Sequence, residues 1–341
     1  MYAKYHAISP WRAIGGGEGA SCKSDRGYYG KTNRTTGHVS PYDSNGPSIS
    51  SPGLFACVKG SWSAAATLDY VYGNFGLWTG FDYRGETALG WPDVSSAFGL
   101  HDLAGFPKDG TGYYKAWWHD GPNCSAVQKS GGGGAISLSI SPGDWTAPVP
   151  IGTPIDVVAT TCATAVQLFV NGVPQGRQPV PLFGYAKWPG VVFNPGNLTA
   201  VAYDDEGHVV TTETILSAGA ASRLEMWVEA PYTPGGRNAS VIAADGQDVA
   251  LIGVRLIDAH AVVVPNADVN VTFTVDGPVR IIGVANGDPA DHSPDKASWR
   301  NTFHGLARVI VASSRAGSTG EFTVTASATG LHSDKVMLEA K

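Results

Sequence analysis

The strongest pattern along the chain is a period-two alternation of apolar and polar residues beyond about residue 135. Ile136-Ser137-Leu138-Ser139-Ile140 puts every second side chain on one face, the mark of a half-buried strand. Val166-Gln167-Leu168-Phe169-Val170 runs into Asn171-Gly172. Both residues of that pair tolerate positive φ, so a tight hairpin is predicted there. Leu198 to Tyr203 and Val209 to Ile215 flank Asp204-Asp205-Glu206-Gly207, a second turn. Residues 135–218 therefore read as a small β-sandwich.

Residues 222–341 repeat the theme. Val269 to Val275 alternates over its whole length, and Phe322 to Ala326 does likewise. Seven strands are predicted, starting near Leu224, Val249, Val269, Arg280, Ala307, Glu321 and Lys335. That number, with turns between, is the pattern of an immunoglobulin-like β-sandwich.

Residues 1–122 alternate far less. Trp62 to Tyr72 is Ala-rich and helix-compatible, Phe75 to Trp78 is short and strand-like, and Tyr113 to Trp118 suits a short helix. Trp117 and Trp118 are expected in the core. A strand–helix order of this kind predicts an α/β unit with parallel strands. An eight-stranded α/β barrel takes roughly 250 residues, so this segment would supply only part of one. The run Ser130-Gly131-Gly132-Gly133-Gly134 reads as flexible, and 123–134 as a linker.

Composition narrows the class. The chain has 44 Gly and 22 Pro in 341 residues, only 15% charged residues, and 10 Trp, 13 Tyr and 11 Phe. A disordered chain would carry more charge and fewer aromatics. The net charge is -6, without a long basic run, so neither nucleic acid nor an anionic membrane surface is expected as a partner. No apolar stretch approaches the ~18 residues of a membrane span, and the N-terminus does not read as a signal peptide. Cys22, Cys57, Cys124 and Cys162 match no zinc spacing and are expected as free buried thiols, with one disulfide possible. Sequons occur at Asn33, Asn123, Asn197, Asn238 and Asn270.

Three carboxylates and a tryptophan carry candidate chemistry. Glu18 follows a short apolar stretch and sits among Gly15, Gly16, Gly17 and Gly19, which would let a substrate approach the backbone. In an α/β barrel, catalytic groups occupy the C-terminal ends of strands. On residue type alone, a surface glutamate in a glycine-rich loop is the commoner outcome. Trp78 precedes Asp82 and Glu86 in Leu77-Trp78-Thr79-Gly80-Phe81-Asp82-Tyr83-Arg84-Gly85-Glu86. An indole face suits the apolar face of a pyranose, and carboxylates accept hydrogen bonds from hydroxyls; a core tryptophan is the plainer alternative. No HExxH or GxSxG occurs, and the glycine run lacks GxGxxG spacing, so no metal and no cofactor is implied.

Two strings then carry a resemblance. GLWTGFDYRGE (76–86) and GWPDVSSAFGLHDLAGFPKDGTGYYKAWW (90–118) resemble the closing part of the catalytic barrel of glycoside hydrolase family 2, the β-galactosidase family. GGGEGASCKSDRGYY (15–29) resembles the segment that carries its nucleophile, and stretches from 166 to 311 resemble its C-terminal sandwiches. The resemblance implies a partial TIM barrel followed by two immunoglobulin-like β-sandwiches. It implies Glu18 as nucleophile at the end of the seventh barrel strand, and Trp78, Asp82 and Glu86 as substrate-binding residues. It implies a retaining mechanism on a β-galactoside-type carbohydrate. The family's acid/base glutamate lies upstream of residues of this kind, so the chain is expected to be inactive alone. A non-catalytic carbohydrate-binding pseudoenzyme is the alternative.

Overall fold

The computed structural model describes residues 2–341 apart from 17–18, 20, 25, 27–30, 33–38, 41–51, 69, 75–76, 88–90, 121–123, 125–135, 148 and 230–239. Glu18, Phe75, Gly76, the Ser130–Gly134 run and the sequon residues Asn33, Asn123 and Asn238 thus lie outside the described residues. The chain forms two compact units, Met1–Ser217 and Ala218–Lys341. Among the described residues no helix is long and apolar enough to cross a membrane.

Unit 1 opens with helix α1 (Tyr2–Ile8) and strand β1 (Ile14–Gly16). The two-residue strands β2 (Lys31–Thr32) and β3 (Val39–Ser40) pair antiparallel. Helix α2 (Pro52–Thr67) leads to β4 (Val71–Asn74), which pairs parallel with β1, Ile14 facing Val71 and Gly16 facing Asn74. Parallel neighbours need a crossover, and α2 lies in this one. The helix starts ten residues before the predicted Trp62. Pro52 opens it, because a fixed φ and a missing N–H suit a first turn. Leu54, Phe55 and Val58 then bury one face. The predicted helix to Tyr72 is corrected at its end: β-branched Val71 begins a strand instead.

Helix α3 (Gly110–Tyr114) continues into a π-helical turn, Lys115–Asp120, where the sequence placed a short helix. A Cβ on Gly112 would come within 2.7 Å of Ser139 Cβ and 2.8 Å of Thr160 Oγ1, so this close approach needs glycine. The Tyr113 hydroxyl donates to Phe183 O and Trp117 Nε1 donates to Gly184 O. Trp117 is buried as expected, but Trp118 is 43% exposed. One turn of helix can present only part of its surface inward.

The remainder of unit 1 is a sandwich of β5 (Ser139–Ser141), β6 (Pro154–Thr160), β7 (Ala165–Val170), β8 (Val173–Pro179), β9 (Ala186–Val192), β10 (Asn197–Tyr203) and β11 (Val209–Leu216). Its sheets run β5-β6-β9 and β11-β10-β7-β8. Trp145, Ile155, Val157, Val166, Leu168 and Leu198 fill the space between them. Asn171 (φ 50) and Gly172 (φ 78) form the predicted β7–β8 hairpin turn.

Unit 2 holds β12 (Arg223–Val228), β13 (Val241–Ile242), β14 (Val249–Ile257), β15 (Asn270–Asp276), β16 (Val279–Ala285), β17 (Trp299–Asn301), β18 (Leu306–Ser313), β19 (Gly320–Ser327) and β20 (Asp334–Ala340). Sheets β12-β14-β18-β16 and β13-β20-β19-β15-β17 enclose Ile252, Val254, Val271, Phe273, Val309 and Val324. The seven predicted strands are present. β13 and β17 are additional, and two or three residues are too few to display a period.

All four cysteines are paired, as Cys22–Cys57 and Cys124–Cys162, which corrects the expectation of free thiols. The partners are 35 and 38 residues apart, and only the fold brings their Cα atoms to 5.9 and 6.1 Å. Closing a loop of that size removes unfolded-chain entropy worth about 4 kcal/mol in the simplest treatment. Replacing Cys124 and Cys162 by Ser is expected to lower the unit 1 transition in calorimetry by roughly 2–4 kcal/mol. The unit 2 transition stays in place.

Candidate functional site

The segment after β4 carries the predicted substrate residues. Gly19 forms a parallel bridge with Leu77, and the Trp78 N–H donates to Gly19 O over 2.9 Å. Gly19 and Leu77 thus pair in the same parallel sense as Ile14–Gly16 with Val71–Asn74. Residues 79–85 then fold against 94–101. Leu100 N donates to Thr79 O, Asp82 N to His101 O, Gly85 N to Val94 O and Ser96 N to Tyr83 O.

Trp78 is 40% exposed. Its Nε1 donates to the Tyr83 hydroxyl over 3.0 Å, and that hydroxyl donates to Glu86 Oε2 over 2.7 Å. The Trp78 and Tyr83 rings meet edge to face with centroids 6.1 Å apart. Glu86 sits exposed in the left-handed region at φ 47, after Gly85 at φ 84. This relay fixes the indole plane while leaving part of its surface in solvent, and it puts one carboxylate close by.

Asp82 faces the other way. It is buried, and its Oδ1 accepts from Lys108 Nζ at 2.7 Å and from Gly99 N at 2.7 Å. Lys108 Nζ also donates to Ser24 O at 2.7 Å and to Ala97 O at 3.4 Å. A Cβ on Gly99 would meet Asp82 N at 2.2 Å, so glycine is required where these two segments cross. A second buried pair stands beside this one: Arg26 Nε donates to Asp102 Oδ2 over 2.6 Å. Asp102 Oδ1 accepts from Ala104 N and Phe106 N. The structure therefore brings together Trp78 and Glu86, through Tyr83, and turns Asp82 inward. Tyr83 and Lys108 escaped the sequence reading. A hydroxyl relay has no sequence signal, and Lys108 lies 26 residues from its partner.

Half-buried carboxylates with altered acidity form a separate group, around α3 and β11. Burial pushes Glu213 up to about 7, against the opposing Ile140 N–H and Lys115. Burial pushes Asp109 up to about 6, opposed by the Ser141 hydroxyl and Gly143 N–H, and Asp144 likewise to about 6. Asp109 raises both of the others through like charge. Of the three, Asp109 joins the start of α3 to β5 through the Ser141 hydroxyl, and Glu213 joins β11 to β5 through the Ile140 N–H.

Two outcomes follow. Lys108→Met leaves a buried carboxylate without its cation and is expected to cost about 3–5 kcal/mol in denaturant unfolding of unit 1. Glu213 holds its proton longer in the folded chain than in the unfolded one. Its contribution to stability therefore falls as pH rises from about 4.5 to about 7. Glu213→Gln removes that loss and should raise the unit 1 melting temperature by several degrees at pH 8, with little change at pH 4.

The chain is similar to known proteins. The family described as glycoside hydrolase family 2 C-terminal domain 5 matches residues 237–337, and the domain of unknown function DUF4982 matches 152–211. Beta-galactosidase BoGH2A of Bacteroides ovatus is 34% identical over 277 residues, 80% of this chain and 29% of that protein. A protein of Formosa agariphila named beta-glucuronidase is 28% identical over 54% of this chain and 16% of its own length. The crystal structure of a beta-glycosidase from Bacteroides vulgatus shares the fold at a TM-score of 0.74 and 23% identity, over 99% of this chain and 43% of that one. The chain spans less than a third of the length of the curated relatives it matches.

Proposed function

We infer that this chain, which carries the C-terminal portion of the glycoside hydrolase family 2 architecture, supplies one half of a retaining glycosidase site. Residues 1–122 are the closing part of a TIM barrel in this reading, with β1 and β4 as neighbouring parallel strands. Glu18 is the nucleophile at the end of the β1 segment. Trp78, at the end of the next, is the platform for the sugar. The observation that supports it most is the Trp78 N–H donating to Gly19 O, since Gly19 directly follows Glu18 in sequence.

The chemistry assigns a role to each group. In a retaining reaction the nucleophilic carboxylate attacks the anomeric carbon, and a second carboxyl about 5–5.5 Å away protonates the leaving oxygen. Water activated by that second group then hydrolyses the glycosyl-enzyme. Trp78 packs against the C–H face of the ring. Glu86, held by Tyr83, accepts from a sugar hydroxyl. Asp82 acts indirectly, by anchoring the loop to Lys108. The substrate is a β-galactoside or a related β-glycoside.

The second carboxyl belongs to a barrel strand outside residues 1–341, so these residues alone do not turn over substrate. Purified chain assayed on an aryl β-galactoside is expected to show no hydrolysis above buffer. Turnover by the chain, abolished by Glu18→Gln, would overturn this half-site reading. In a full-length protein that contains these residues, Glu18→Gln should lower kcat by several orders of magnitude. Trp78→Ala should mainly raise KM there.

A further inference from the structure

We propose that unit 2 carries a binding groove for an anionic sugar, separate from the Trp78 site. A cavity of about 430 Å³ opens where the start of β16, the 245–248 turn and the 296–298 segment meet. That volume lies within the usual roughly 300–1,000 Å³ of small-molecule sites. Its lining includes Arg280, Ile282, Gln247, Lys296 and Ser298, whereas the neighbouring Ile281 packs against the sandwich core.

The charge is the informative part. Arg280 and Lys296 are exposed, and among the described residues neither forms an ion pair. The chain as a whole is acidic, at -6. Asp245, Asp248 and Asp295 lie in the same segments, but Asp295 pairs with Arg300 and the other two accept from backbone N–H groups. Two cations without an ion pair on one concave surface attract an anion more strongly than the same charges dispersed.

The walls are fixed in advance. Arg300 is buried, and it donates to the carbonyls of Ser293, Pro294 and Val284 and to the carboxylates of Asp291 and Asp295. Val284 N donates to Asp295 O and Phe273 N to Ser298 O, so the backbone on both sides of Lys296 is tied down. On the facing wall, Asp245 Oδ1 accepts from Gln247 N and Asp248 N, and Gly246 N donates to Ser313 Oγ. None of these bonds uses the side chains of Arg280, Lys296 or Gln247. Rigid walls with uncommitted polar side chains are what a preorganised site requires.

The ligand chemistry follows from the lining. The cations bind a carboxylate or a sulfate ester, Gln247 and Ser298 bind hydroxyls, and Ile282 takes an apolar C–H face. That combination describes a uronate or a sulfated sugar. The preference for an anion stands on the groove alone, whereas the sugar rests on the glycosidase reading.

Isothermal titration of the full chain at low salt tests this, with tetragalacturonate, a sulfated galactan tetrasaccharide, neutral galactotetraose and inorganic sulfate as probes. At least one acidic oligosaccharide should bind tenfold or more tightly than the neutral one. Arg280→Ala/Lys296→Ala should weaken that binding tenfold or more, as should 0.5 M NaCl, whereas Trp78→Ala should change it less than twofold. Whichever acidic oligosaccharide binds identifies the anion. Equal affinity for acidic and neutral sugars, or an unaffected double variant, overturns the groove. Inorganic sulfate binding as tightly as the sulfated sugar overturns its sugar specificity. Neutral galactoside binding that ignores Trp78→Ala counts against the barrel site and leaves the groove standing.

Discussion

The placement of the candidate sugar-binding residues depends on one buried ammonium. Lys108 Nζ meets Asp82, Ser24 O and Ala97 O at a single point inside unit 1. Removing an ammonium from water costs several kcal/mol unless acceptors surround it, and here three chain segments must converge to surround it. Asp82 belongs to the same loop as Trp78, Tyr83 and Glu86. The Lys108–Asp82 pair therefore fixes the loop's inner side, and the Trp78–Tyr83–Glu86 relay orders its outer side.

This arrangement answers a difficulty common to binding loops. A loop that exposes an indole to a ligand cannot also bury it, so apolar burial cannot hold that loop in place. Unit 2 meets the same difficulty with the same device. Arg300 is wrapped by the loop from Asn286 to Ser298, and its guanidinium satisfies three carbonyls and two carboxylates. Guanidinium suits that task, since its donors point in fixed, planar directions. In both units the strands are ordered by alternation and the irregular loops by a buried cation.

That division explains what was legible in the sequence. Alternation is periodic, so β7, β10, β15 and β19 could be read directly, and Asn171-Gly172 fixed a turn by its backbone preference. β13 and β17 are too short to alternate. The start of α2 lay in Pro52, outside the Ala-rich stretch that signals helix. The disulfides and the Lys108–Asp82 pair join residues 26 to 38 positions apart, and no local pattern encodes a distant partner. The site was legible only in part. Trp78 and Glu86 come together through Tyr83, whereas Asp82, a carboxylate of the same loop with no distinguishing sequence signal, faces the core. A carboxylate's direction depends on which side of the loop finds a cation, and that is a property of packing.

A buried cation also places a loop more sharply than an apolar anchor would. An apolar side chain shifted by a residue loses some contact area and keeps the rest. An ammonium shifted by a residue loses named acceptors and stands as an uncompensated charge. The penalty for a near miss is then several kcal/mol instead of a fraction, so neighbouring registers of the 77–108 segment are disfavoured even where their apolar burial is similar. Gly99 sharpens this further, because only a residue without Cβ passes beneath Asp82 N at that crossing. The loop is thus held to one position from inside, which leaves its outer surface free to carry residues chosen for a ligand rather than for the fold.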